Sequence, residues 1–175
     1  MAETPEIPEA SDPFEKRAAV TIAILAVALA VIGNKGDNAK TDAIIKTNEA
    51  ANQYAWYQAK SIKGSIATAE IELLTALAPS QSGGADIAKI TERLKLKVTE
   101  YEKEEPGIKA KAEEAKKDAE VGSKINDRCD QGSLALQIAI ILASVSILAR
   151  SQAFWIGSII LGLIGIGIGV TAFLL

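Results

Sequence analysis

The amino-acid sequence predicts an all-α membrane protein: three transmembrane helices, with a long antiparallel helical hairpin, a coiled coil, between the first and second. Two observations lead there. Hydrophobic residues make up 49% of the 175 residues, but they gather in 18–33, 134–149 and 153–175, around a long segment rich in Lys, Glu and Ala. That distribution belongs to a chain with apolar spans and one large aqueous element, not to a globular core. The second observation is a heptad repeat through the later half of the charged segment.

Composition also excludes. A net charge of −3 carries no basic excess for nucleic acid. With no His and one Cys, Cys129, a His- or Cys-based metal site, a thiol–imidazole pair and an internal disulfide are ruled out. No acid, base and nucleophile converge, so no enzyme and no cofactor is expected. "YEKEE" (101–105) reads as a solvated charged face, as does the i, i+4 series Lys89, Arg93, Lys97. "GIGIGV" follows no strand and is not a nucleotide loop.

The elements follow in order. Residues 1–12 are acidic and Pro-bearing, expected as a disordered tail. The first span is 13–33. "DPFE" places a capping Asp12, Pro13 at the first helical position and Glu15 where a capping box wants it. "ALA" at 28–30 resembles a signal-peptidase site, but the helix start and the snorkelling pair Lys16 and Arg17 favour a retained anchor. "GNKGDN" (33–38) predicts a break at the membrane surface, with Asp37 or Asn38 as the next cap.

Residues 34–131 form the extramembrane hairpin, with arms 37–78 and 85–131 and "PSQSGG" (79–84) as its tip. Near-equal arms on one loop, with both ends at the membrane, imply antiparallel pairing. One core position of the second arm reads Ile87, Leu94, Tyr101, Ile108, Ala115, Gly122, Cys129. The other reads Thr91, Val98, Glu105, Ala112, Ala119, Asn126. Pro106 removes a helical donor and predicts a kink or break. On the first arm the apolar stripe is Ala51, Ala55, Ile62, Ile66, Ala69, Leu73 and Leu77. Tyr54, Trp56 and Tyr57 surround the helix instead of extending that stripe. At a height where lipid is not expected, they predict a second contact face, for another subunit or protein, with Lys60 and Lys63 beside them.

The second span is 132–149 and the third 153–175, joined through Arg150 as a tight antiparallel pair. Small residues at 4-3-4-3 spacing mark packing faces, within one subunit or between subunits: Ala19, Ala23, Ala26, Ala30 and Gly33 in the first span, and Ser158, Gly162, Gly165, Gly169 and Ala172 in the third. The second span is less regular, with Ala135, Ala139, Ala143 and Ser146. No ionisable residue lies inside a span, which argues against a proton relay or ion pathway. Gln137, the most polar group there, reads as interhelical glue. With Lys16, Arg17 and Arg150 on one side, the N-terminus is expected inside and the hairpin outside, in the periplasm of a two-membrane bacterium.

"QYAWYQAKSIK" (53–63) resembles a stretch of a bacterial membrane-protein family catalogued as domain of unknown function 4337. The matching residues are Trp56, Tyr57, Gln58, Ala59, Lys60, Ile62 and Lys63, and "GIKAKAEE" (107–114) is similar to the family's charged second arm. Pro106 departs from its continuous second arm. The resemblance covers nearly the whole chain and implies the same architecture and a bacterial origin, with no assigned activity; the expected location is the bacterial inner membrane. The expected function is a membrane-anchored structural or interaction protein. It would be a homo-oligomeric stalk or an accessory subunit of a membrane complex, with the bilayer, its own copies and another subunit as partners. The alternative is an oligomeric channel or transport accessory, its narrow pore lined by Gln137 and Ser144.

Overall fold

A computed structural model describes residues 12–77 and 84–175; the expected tail up to Ser11 and the tip up to Gly83 lie outside the described residues. Three helices follow in order, α1 (Pro13–Leu77), α2 (Gly84–Leu148) and α3 (Gln152–Thr171). Each is long and apolar enough to cross a membrane.

α1 starts as its sequence dictates. Asp12 Oδ1 accepts the Phe14 N–H at 3.1 Å and its carbonyl accepts the Lys16 N–H at 3.2 Å, satisfying two donors of the first turn. Glu15 does not close the capping box; its carboxylate lies 3.9 Å from Arg150.

The expected break at 33–38 does not occur. α1 runs through it as a helix of 65 residues, with Asn38 Nδ2 donating to Asn34 Oδ1 at 3.4 Å. Here glycine serves contact, not turning: a Cβ on Gly36 would lie 2.8 Å from Cys129 Cβ, so only glycine lets α2 come so near. Nor does Pro106 end α2, which is also a single helix of 65 residues. The Glu102 carbonyl loses its helical donor to the proline ring, but Glu102 and Pro106 are both exposed, so water can replace the lost bond. The real punctuation falls at Arg150, whose φ of 45° is left-handed. There Ser151 N–H donates to the Ser146 carbonyl at 3.1 Å and Arg150 N–H to that of Ile147 at 3.3 Å, the two bonds of a Schellman ending.

The chain divides into two compact units, Met1–Asp42 with Val121–Leu175, and Ala43–Glu120. In the first, a core of Leu25, Ile32, Cys129, Leu136, Ala139 and Ala172 joins the three helices. Leu25 fills the space a side chain on Gly162 would need, and Ile32 that on Gly169. α3 therefore runs with α1. It approaches α2 more closely still: a Cβ on Gly132 would lie 2.9 Å from the Gly165 carbonyl oxygen, and one on Gly165 2.9 Å from that of Gly132. Two ring contacts bracket the unit. Phe14 meets Trp155 edge-on at 6.1 Å, and Lys35 Nζ lies 5.7 Å from the Phe173 ring centre. Phe14 and Lys35 are separated by about 32 Å of helix, close to the thickness of a hydrocarbon core of about 30 Å. Trp155 Nε1 also donates to Thr21 Oγ1 at 3.1 Å, tying α3 to α1.

In the second unit, the shielded residues of α2 are Ile87, Thr91, Leu94, Val98, Tyr101, Glu105, Ile108, Ala112, Ala115 and Ala119. They are the heptad positions read above. The shielded face of α1 is Ala43, Lys46, Ala50, Gln53, Tyr57, Lys60, Gly64, Ala67, Ile71 and Leu74, with Tyr54 and Ser61 at its edge. It too keeps alternating three- and four-residue steps. The expected apolar stripe is instead exposed throughout, with Ile62 at 59%, Ile66 at 54% and Leu73 at 60%. Its physical reason lies in Lys46 and Lys60. These long side chains lay apolar stems in the seam and carry their charge to α2 carboxylates, so hydropathy alone points to the roughly opposite face of α1.

Candidate interaction site

The aromatic stretch is held on α1 by this seam. Tyr57 occupies a core position and is half-buried, Tyr54 borders it, and Trp56 points sideways at 58% exposure. The expectation that Tyr57 stands clear of the arm-to-arm seam is thus corrected: the seam runs through it. Lys60 is likewise committed inside the chain. Its Nζ lies 2.6 Å from Glu104 Oε2 and 4.7 Å from the Tyr101 ring centre. The hydrogen bond to Glu104 and its negative charge hold the Lys60 amine above the ordinary lysine range, against a smaller desolvation effect. Lys46 is raised in the same way, first by its hydrogen bond with Glu49 at 2.9 Å, with Asp118 of α2 at 3.9 Å adding to it.

What stays open to a partner is narrower than the predicted set. Trp56, Ala59, Lys60 and Lys63 line a shallow groove along α1. On its other edge Trp56 borders a second groove with Lys103, Gly107, Ile108 and Lys111 of α2. Trp56 and Lys63 thus present a flat apolar ring and a cation side by side. A recess that the sequence reading missed lies between Ser61, Ser65 and Thr68 of α1 and Glu102 and Glu105 of α2. Its hydroxyls at Ser65 and Thr68 donate to helix carbonyls, so the carboxylates dominate its chemistry. Scattered at helical spacing, those residues carry no motif. The Lys89, Arg93 and Lys97 series is exposed.

The predicted membrane-packing residues divide cleanly. Ser158, Gly162, Gly165 and Gly169 are buried in α3. Ala19, Ala23, Ala26 and Ala30 are exposed, and Gly33 is half-buried. α1 instead turns Ala18, Leu25 and Ile32 inward. Gln137, expected as interhelical glue, is exposed on the outer face of α2 and, among the described residues, joins no helix of its own chain.

A family model described as domain of unknown function, DUF4337, matches residues 14–175, essentially the whole chain. The chain belongs to this family. No curated protein and no solved structure matches it. The DUF4337 match begins at Phe14, one residue into α1, and so takes in the aromatic groove, the seam and all three apolar spans. Among the described residues of this DUF4337 chain, no group of three or more acidic, His or Cys side chains is placed to hold a metal ion. The helix face offers an exposed indole and lysine, with the Lys60–Glu104 ion pair beside them.

Proposed function

We propose that the chain is a membrane-anchored structural and interaction protein, a homo-oligomer whose Ala43–Glu120 unit is an antiparallel coiled-coil hairpin presented as a stalk or accessory subunit to a larger membrane complex. One observation carries this reading: α1 and α2 both shield residues at unbroken heptad spacing in that unit. The ion pairs support antiparallel pairing, since Lys46 meets Asp118 and the later Lys60 meets the earlier Glu104. Trp56 and Lys63 are the partner contact in this reading, because a desolvated Trp is a frequent centre of binding energy. The membrane is the bacterial inner membrane, with the hairpin outside the cytoplasm. Native mass spectrometry of the detergent-solubilised full chain, with everything that co-purifies, tests it. Trp56→Ala with Lys63→Ala should release a bound species or lower the particle mass. An unchanged particle with unchanged companions would remove those residues from the reading.

A second reading, an oligomeric channel or transport accessory, draws on Gln137 and Ser144 sharing one exposed face of α2. Conductance across planar bilayers that depends on Gln137 would favour it; silent bilayers at high occupancy would dismiss it.

A further inference from the structure

We propose that Gln137 is the contact through which a second copy of this chain docks in the membrane. Within the homo-oligomeric reading above, this names the surface and its partner. The outer face of the α2 span reads Leu134, Gln137, Ile141, Ser144 and Leu148, at three- and four-residue steps. All five are exposed, Leu134 at 59%, Ile141 at 60% and Leu148 at 89%. Such a face suits another helix as well as lipid, and apolar exposure alone does not choose between them. Gln137 chooses. Among the described residues its carboxamide makes no hydrogen bond, whereas Ser144 on the same face donates to the Ile140 carbonyl at 2.9 Å.

Depth makes this costly. Cys129 lies level with Gly36, next to Lys35, at one bracket of the span. Gln137 is about 12 Å of helix further in and about 20 Å short of Arg150 at the other end, beyond the reach of its short side chain to either surface. A bare carboxamide in hydrocarbon costs several kcal/mol, and lipid tails offer it nothing.

The partner follows from the chemistry of the group. A carboxamide both donates and accepts, so it complements itself. Two copies in one bilayer related by a two-fold axis along the membrane normal bring Gln137 to Gln137 at equal depth without any further adjustment. Each amide donates to the other's oxygen, and Leu134, Ile141 and Leu148 pack above and below. A foreign helix would need its own polar group at that same depth.

Sedimentation equilibrium of the full chain in density-matched micelles measures the self-association. Gln137→Leu, at an exposed position, should weaken it about tenfold, the order expected for an interhelical hydrogen bond of 1–2 kcal/mol, while Gln137→Asn keeps part of it. In native membranes, Ile141→Cys with Cys129→Ala should cross-link to its own copy on mild oxidation, and Val27→Cys in the same background should not. A self-association that Gln137→Leu leaves intact, or one whose cross-link runs through Val27→Cys, overturns the Gln137 contact and spares the homo-oligomer. A wild-type chain that is monomeric at every protein-to-detergent ratio overturns both.

Discussion

At the scale of single residues, the glycines separate by what stands behind each. A Cβ at Gly132 or Gly165 would press on backbone atoms of the facing helix at 2.9 Å, and backbone cannot rotate away. Gly132→Ala and Gly165→Ala should each cost about 1–3 kcal/mol of stability, the usual range for overpacking. Gly157→Ala and Gly167→Ala meet nothing within 4 Å, and should be neutral or gain up to about 1 kcal/mol from helix propensity. Unfolding by denaturant in bicelles distinguishes the two classes. The small residues of α3 were legible in the sequence because they are the holes of the packing. The small face of α1 is not used inside the chain because only one of two apposed helices needs holes; α1 supplies the knobs, Leu25 and Ile32. Lys60 carries a different signature. Its raised pKa means that its contribution is fully present below the unfolded value of about 10.4 and is lost as pH rises through the folded value. Melting curves above pH 10 should therefore fall more steeply for the wild-type chain than for Lys60→Met.

At the scale of elements, α2 was readable and α1 was not, although both carry a heptad. In the described part of α2, the core positions from Ile87 to Cys129 are apolar or small apart from Thr91, Glu105 and Asn126, so periodicity and hydropathy agree. In α1, Lys46, Gln53 and Lys60 occupy core positions while Ile62, Ile66 and Leu73 lie outside them, so the two signals conflict and packing follows the first. Substitution makes the distinction measurable. Tyr57→Ala should cost the full chain about 1–2 kcal/mol, for a half-buried aromatic, whereas Ile66→Ala should stay within about 0.5 kcal/mol. Glycine was the other source of error: at Gly36 it permits contact with Cys129 where the sequence suggested a turn. Pro106 is the remaining tension, a helix breaker inside a continuous helix. Pro106→Ala restores the donor for Glu102 and should raise stability by up to about 3 kcal/mol, read by chemical denaturation of the full chain.

At the scale of the whole molecule, the topology proposed above requires both ends of the hairpin on one side of the bilayer, and a labelling experiment tests which. Cys129 is 1% exposed, and burial pushes its thiol pKa up, so the native cysteine should react slowly. Ala110→Cys, at an exposed position of α2, should react with an impermeant maleimide in intact spheroplasts. Reaction only after lysis would place the hairpin in the cytoplasm. The proposed hairpin meets a problem that every repetitive pair of helices meets, since heptads look alike and can slide past one another. Moving α2 by seven residues keeps the heptad positions in the seam, yet it replaces Glu104 opposite Lys60 with Lys97 in one direction and Lys111 in the other. Either slip trades an attraction for a repulsion between like charges. The lysine that obscured the seam from a hydropathy reading is thus also its alignment key, admitting one pairing and rejecting its nearest neighbours.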